Sequence, residues 1–430
     1  MSCRVILRSL KLQCYPKLKG ILRTHGQVAR HIQARCIHGK KSGETELLKS
    51  IVKRIKLNGP LSVADYMREV LVNPAAGYYM HRDVFGKEGD FITSPEISQI
   101  FGELLGVWCV NEWLHAGKPD PIQVVELGPG RGTLADDMLR VFSQFPEIKE
   151  KVSFHFVEVS PTLSDMQMEK LSGKKPESGA RSMIDHCYKQ CKSKHGPLVS
   201  WYTHLEYVPH GFSFYLAHEF FDALPIYKFK HTDKGWCEVL IDIDEEDGPH
   251  HLRFVVSRGP TLASKTMLHL KPGDTRSHVE VCPEGGILVC DIAKRLKQDG
   301  GFALIADYGH DGDKMDTFRG FRKHKLHDVL EEPGTADLTA DVDFDFLARH
   351  AGDGVSIYGP ISQEIFLHNM GIVSRLQTLL KNASPTQQKD LLTGYDMLAN
   401  PQNMGERFKF MAIMNEQPDD YLPAGFALLQ

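Results

Sequence analysis

Three short apolar runs in this chain end in an acidic residue, and two of them lead into glycines and polar turns of the kind that cradle a ligand. Val124-Val125-Glu126-Leu127 breaks into Gly128-Pro129-Gly130-Arg131-Gly132 before Thr133-Leu134. Glycines at 128, 130 and 132 can take positive φ and let the backbone approach a ligand that a Cβ would repel. The helix that follows, begun by Leu134, Met138 and Leu139, aims its unsatisfied N–H groups at whatever lies over the turn. The spacing is G-x-G-x-G, one residue shorter than the G-x-G-x-x-G of dinucleotide folds. Glu126 would repel a bound diphosphate but suits a ligand's ammonium group. Phe154, Phe156 and Val157 form a second short strand closing with Glu158, from which a carboxylate can accept hydrogen bonds from both hydroxyls of a ribose, each contributing about 1.5 to 3 kcal/mol. The plainer counterparts are a tight strand-to-helix connection and a solvated strand-terminal glutamate.

Taken in order, these two elements resemble the S-adenosylmethionine site of class I methyltransferases, a doubly wound, Rossmann-like α/β fold whose ligand lies at the carboxyl ends of its strands. Further motifs resemble one family, the MidA-type mitochondrial arginine methyltransferases that assist assembly of respiratory complex I. They are Gly77-Tyr78-Tyr79, the run from Gly86 through Gly89-Asp90-Phe91 to Ser98, His218-Glu219-Phe220-Phe221-Asp222-Ala223-Leu224-Pro225, Asp307-Tyr308-Gly309, and Asp337-Leu338-Thr339-Ala340-Asp341-Val342-Asp343-Phe344. The resemblance runs from about Leu57 to Ala412. It implies arginine as the modified residue, a symmetric dimethyl product, a matrix-arm subunit of complex I as the protein substrate, and the Gly89-Asp90-Phe91 segment as part of the cofactor pocket.

Glu219 and Asp222 follow the run Ser213 to Ala217 and should emerge at the same sheet edge as Glu126 and Glu158. A guanidinium stays protonated at neutral pH, and a planar carboxylate is its natural bidentate partner. Two acids there can orient one nitrogen towards a methyl donor, with positioning supplying most of the rate. Helix capping, or a solvated turn ending at Pro225, is the alternative for the same acids, and His218 is a second candidate base. Asp90 is a candidate cofactor contact. Ser94, ahead of Pro95 and Glu96, reads as the N-cap of the following helix. Asp307 would bond Tyr308 or a neighbouring loop, and His324, His327, Asp328 and Asp337 to Phe344 would line a substrate channel. Cys187, Cys191 and His195, with His186 alongside, have the spacing of metal ligands on one helical face, but the stretch from Ser172 to Pro197 reads instead as a surface insertion and no metal is expected.

The elements that must position these residues alternate between strand and helix, which implies parallel crossovers. Candidate strands are Gln123 to Leu127, Phe154 to Val159, Phe212 to Ala217 and Phe302 to Asp307. Leu47, Leu48, Ile51, Val52 and Ile55 recur at helical spacing before Asn58-Gly59-Pro60, and Ser62 caps a second helix that stops at Asn73-Pro74. A third helix carries Ile100, Leu104, Leu105, Trp108 and Trp113. Gly235 to Ile243 and His251 to Ser257 read as an antiparallel hairpin, and Gln363 through Leu379 as helix. The expected architecture is a mostly parallel sheet with an N-terminal helical segment, a hairpin insertion and C-terminal helices. Its expected divisions are 1–43, 44–120, a core over 121–310 with insertions near 172–197 and 235–275, and 311–430.

The first 43 residues carry ten Lys and Arg, and the first acidic residue is Glu44. Apolar Val5, Ile6, Leu7, Leu10 and Leu12 interleave with the cations as in a mitochondrial transit peptide, so a mitochondrial matrix location is expected, with a basic nucleic-acid- or lipid-binding arm as the other reading. Ten basic residues taken from 51 leave 41 against 55 acidic ones, a formal charge of −14. Such a body is a poor partner for phosphate backbones and suits basic protein segments. No apolar run approaches the ~20 residues needed to span a bilayer. Two competing functions stay open: a methyltransferase-like assembly chaperone that keeps the pocket without catalysis, and a nicotinamide-dependent oxidoreductase.

Overall fold

The computed structural model describes residues 45–81, 92–175, 186–246, 251–271 and 273–427. Its strands, in chain order, are β1 (Leu61–Ser62), β2 (Ile122–Leu127), β3 (Val152–Val157), β4 (Lys189–Lys192), β5 (Leu198–Tyr202), β6 (Ser213–His218), β7 (Tyr227–Thr232), β8 (Gly235–Ile243), β9 (Leu252–Val256), β10 (His278–Val281), β11 (Gly301–His310), β12 (Arg319–Arg322), β13 (Lys325–His327), β14 (Asp337–Thr339), β15 (Val342–Asp343), β16 (Val355–Ser362) and β17 (Phe408–Asn415). The main sheet runs β16-β17-β11-β6-β2-β3-β5-β4, with β15 beside the end of β11. Its five middle strands are parallel, and β4, β17 and β16 are antiparallel to their neighbours. Strand order reverses beside β2, because the chain winds outward through β3 and β5 and then returns to β6 on the other side. In such sheets that crevice at the carboxyl ends is where ligands bind.

Both faces of the sheet are covered, as parallel sheets require. Along β6, Phe214 and Leu216 point to one face and Tyr215 and Ala217 to the other, all buried. The first face packs on the helices Gln99–His115 and Thr133–Phe142 through Trp108, Met138 and Phe142, the second on Pro283–Asp299 and Phe344–Ala351 through Val289, Ile292 and Leu347. The helices Glu46–Asn58 and Val63–Val72 form a third core with β1 and β8. The first ends at Gly59 (φ +84°), and Ser62 caps the second by accepting from Asp65 N, as read from the sequence.

Four local readings change. Ser94 does not begin the long third helix: it opens a separate four-residue turn, Ser94–Ile97, and Ser98 caps Gln99–His115. The 172–197 stretch is not wholly an insertion, since Lys189–Lys192 is an edge strand paired antiparallel to β5. The expected hairpin of β8 and β9 exists, but β7, β10 and β1 extend it into a five-stranded antiparallel sheet. The helix over 363–379 breaks at Gly371 (φ +84°) into Gln363–Asn369 and Ile372–Leu380, and a further helix, Pro385–Ala399, precedes β17.

Candidate active site

The ends of β2, β3 and β6 bring four buried carboxyls to the crevice where strand order reverses. Glu126 is the penultimate residue of β2, and its Oε2 has no hydrogen-bond partner among the described residues. Burial pushes its carboxyl up to about 8. The turn after it takes positive φ at Gly128 (+60°), Gly130 (+54°) and Gly132 (+73°), and Gly132 is the left-handed N-cap of Thr133–Phe142. Left-handed backbone is costly for residues with a Cβ, so the glycines are required by the path of the chain itself. A Cβ on Gly128 would come within 2.7 Å of the Phe220 ring.

Glu158 follows β3 directly. Its Oε1 accepts from Ser160 N at 2.7 Å and its Oε2 from Gln167 Nε2 at 2.9 Å. The same Gln167 amide donates to Gly130 O at 2.7 Å and accepts from Trp201 Nε1 at 2.8 Å, so one side chain ties the glycine turn to the acid of the next strand. Burial raises Glu158 to about 7 against these donors. A carboxylate has about four lone-pair sites, so it retains capacity for a ribose. The Tyr79 carbonyl accepts from Ser160 Oγ at 2.7 Å, which seats the Gly77-Tyr78-Tyr79 segment beside this loop.

Glu219 stands immediately after β6 at φ +49°, an uncommon conformation for a residue with a Cβ and one that clusters at functional sites. Its N–H donates to Ala306 O at 3.0 Å, and its Oε1 accepts from Ser94 N at 3.2 Å and Ser94 Oγ at 3.4 Å. Burial, with the Asp222 charge adding, raises it to about 8. Asp222 lies in the short turn Phe221–Ala223. One oxygen, Oδ2, accepts from the Tyr308 phenol, while buried Oδ1 has no partner among the described residues. Burial raises Asp222 to about 6. His218 is an unsuitable base, because burial lowers its imidazole to about 3 and its Nε2, 3.3 Å from Glu219 Oε1, is not aligned for a hydrogen bond.

Asp307, on β11, is fully buried. Its Oδ2 accepts from the backbone N–H groups of Phe220 (3.1 Å), Phe221 (3.0 Å) and Asp222 (3.3 Å), and its Oδ1 from Tyr308 N (3.0 Å). Both destinations read from the sequence, Tyr308 and a neighbouring loop, are therefore real. Burial and the charges of Asp222 and Glu219 push its carboxyl well above the usual range, opposed by those donors.

The sequence therefore brings together Glu126, Gly128, Gly130, Gly132, Glu158, Glu219 and Asp222 as expected, whereas Asp90 lies outside the described residues. Sequence reading missed Gln167 and quoted Phe220 and Tyr308 only within their motifs, without the roles of packing on Gly128 and donating to Asp222. Of the channel candidates, Asp337 accepts from Tyr79 Oη (2.7 Å) and Asp341 pairs with Arg319 (2.6 Å) and Lys314 (2.7 Å), whereas His327 Nε2 lies 3.0 Å from Glu331 O, a local contact. The possible metal set disperses: His195 lies 3.1 Å from Asp136, His186 stacks on Tyr207, and Cys187 donates to Lys189 O, with Cys191 on a strand rather than a helix.

The family model described as "Putative S-adenosyl-L-methionine-dependent methyltransferase" matches residues 104–361. A Danio rerio protein named "Protein arginine methyltransferase NDUFAF7, mitochondrial" is 55% identical over 86% of this chain and 87% of its own length. The Homo sapiens protein of that name is 53% identical over 87% and 84%. The Drosophila melanogaster homologue is 49% identical over 90% of both chains. A Burkholderia thailandensis protein crystallised with S-adenosyl-homocysteine shares the fold, with a TM-score of 0.68 at 23% identity, over 86% of this chain and 92% of that one.

Proposed function

The chain belongs to the S-adenosylmethionine-dependent methyltransferase family that includes the proteins named NDUFAF7, and from that premise we propose that it methylates arginine side chains of a protein substrate inside mitochondria. The observation that carries this reading is the set of buried carboxyls, Glu126, Glu158, Glu219 and Asp222, at the ends of β2, β3 and β6. Burial is the largest cause that raises each of them. Such a site gains most from cations: burying a carboxylate is costly, and an arriving positive charge offsets that cost.

The residues fit the cofactor. Gly128, Gly130 and Gly132 let the backbone come close, Glu158 keeps acceptor capacity for a ribose, and the unpartnered Glu126 Oε2 suits an ammonium group. When bound, S-adenosylmethionine would supply an electrophilic methyl group on a sulfonium, whose S–CH3 bond breaks with its electron pair kept on sulfur, leaving the neutral thioether S-adenosylhomocysteine. Glu219 and Asp222 bind and orient the guanidinium, which arrives protonated because its pKa exceeds about 12. Its charge draws both carboxyls into their ionised forms. As the nitrogen lone pair is committed to the new N–C bond, the N–H proton passes to one of these carboxylates. Ser94, donating to Glu219, holds one of its oxygens in place.

The finer reading is symmetric dimethylation of an arginine in a matrix-arm subunit of complex I, supporting assembly of that complex in the matrix after loss of the basic segment 1–43. It rests on the motif resemblance and the acid-poor, cation-rich first 43 residues. No helix among the described residues is long and apolar enough to cross a membrane. The test is incubation of the protein lacking residues 1–43 with methyl-labelled adenosylmethionine and a matrix-protein extract, followed by mass spectrometry of the labelled residue. Label on arginine supports the reading, and label confined to other residues, or none, overturns it.

A further inference from the structure

Asp222 presents a specific problem. A carboxylate on a short turn can rotate and offer either oxygen, yet orienting one guanidinium nitrogen needs a single oxygen in a fixed place. Two consecutive residues of β11 address the two halves of that problem. Asp307 gathers three successive backbone N–H groups, those of Phe220, Phe221 and Asp222, on one oxygen, so the turn carrying Asp222 is fastened to the central sheet. Ala340 N fastens it from the other side by donating to Asp222 O at 3.0 Å. Tyr308 then donates its phenol to Asp222 Oδ2, which leaves Oδ1 as the oxygen without a partner among the described residues. The Tyr308 ring is itself held: the Arg319 guanidinium lies 5.0 Å from its centroid and is anchored to Asp341 at 2.6 Å and Thr317 O at 2.9 Å.

We propose that Asp307 and Tyr308 are the positioning residues of the transfer step, Asp307 fixing the Glu219–Asp222 turn and Tyr308 fixing which Asp222 oxygen meets the substrate guanidinium. The assignment rests on the reading of Asp222 as a guanidinium partner. Preorganisation of this kind acts on the reacting geometry and leaves cofactor binding alone. The charged and titratable groups facing Asp222 are Glu219 on its own turn, Asp307 and Tyr308 on β11, Arg319 on β12, Asp341 after β14, and Tyr79 with its partner Asp337. Removing Tyr308's hydroxyl withdraws a donor from the Asp222 carboxylate, so Asp222 should titrate at higher pH without it.

The experiment compares wild type, Tyr308→Phe, Asp307→Asn, Asp222→Asn and Tyr308→Phe/Asp222→Asn, with matrix-protein extract and labelled adenosylmethionine giving the rate against pH, and calorimetry with S-adenosylhomocysteine giving cofactor affinity. Tyr308→Phe is expected to lower the rate at neutral pH about 10- to 100-fold, as misplacement of a reacting group does, with S-adenosylhomocysteine affinity within about twofold. Its acid limb moves to higher pH, Asp307→Asn lowers the rate with S-adenosylhomocysteine affinity kept within about twofold, and the double variant falls no further than Asp222→Asn. A Tyr308→Phe limb that stays in place, or losses that multiply in the double variant, overturn the positioning role alone. If Tyr308→Phe does not fold, Asp307→Asn still tests that role: a rate equal to wild type, or a loss matched by lost cofactor affinity, overturns it. A wild type that labels no arginine removes the guanidinium reading, and this proposal with it.

Discussion

The Phe220 ring stands against Gly128 so closely that a Cβ on the glycine would lie 2.7 Å from its Cδ2, which joins the turn after β2 to the turn after β6 across the point where strand order reverses. Gly128→Ala therefore meets two penalties, the ring and a φ of +60°. A strained left-handed residue costs about 1 to 3 kcal/mol. We expect a lowered melting temperature and at least tenfold weaker S-adenosylhomocysteine binding by calorimetry. Adding Phe220→Ala relieves the clash but not the backbone strain, so stability returns only in part.

Glu158→Ala should weaken cofactor binding by one to two powers of ten, the loss of one set of charge-assisted hydrogen bonds at about 1.5 to 3 kcal/mol. Because Glu158 also accepts from Ser160 N and Gln167, a Gln167→Ala control separates disturbance of the loop from loss of the ribose contact. Equal affinity for wild type and Glu158→Ala in calorimetry would remove Glu158 from the cofactor site.

Glu126 and Glu158 have carboxyls raised to about 8 and about 7 by burial, so the folded, ligand-free protein holds protons that the unfolded chain releases near 4.5. The sign follows from linkage: their contribution to stability is fully present below the unfolded value and is lost as pH rises through about 7 to 8. Scanning calorimetry of the ligand-free protein should show melting temperature falling between about pH 5 and 8 and levelling off above that. The fall should be shallower with adenosylmethionine bound, and shallower again in Glu126→Gln without ligand. A rising melting temperature over that interval contradicts the assignment.

Glu103 accepts from Arg140 at 2.5 Å and from Arg375 at 2.7 and 3.0 Å, linking the helix Gln99–His115 to Thr133–Phe142 and Ile372–Leu380. Burial raises its carboxyl, but the two arginines outweigh burial and hold it below its ordinary value. Its contribution is therefore present above the unfolded value and lost as pH falls through the folded one. Both arginine side chains are more than a third exposed, at 39% and 38%, so solvent screens the pairs. Glu103→Gln is expected to cost about 1 to 2 kcal/mol in urea unfolding, without changing cofactor affinity.

The local sequence determined which backbone paths are possible: glycines at 128, 130 and 132 where φ is positive, Ser62 as a cap, and apolar runs that place an acid at the end of each of β2, β3 and β6. Those features are legible because they depend on a residue and its near neighbours. The contacts that turn separate acids into one site span long intervals of chain, as between Asp307 and Phe220, Tyr308 and Asp222, Gln167 and Gly130, or Ser94 and Glu219. No local pattern encodes them. The same is true of β17, whose apolar Phe408–Asn415 run fits several roles until pairing between β11 and β16 selects one. Periodicity specifies which face of an element is apolar, but the partner of that face, and which buried carboxyls come to share one low-dielectric crevice, follow only when the sheet assembles and excludes water from all of them together.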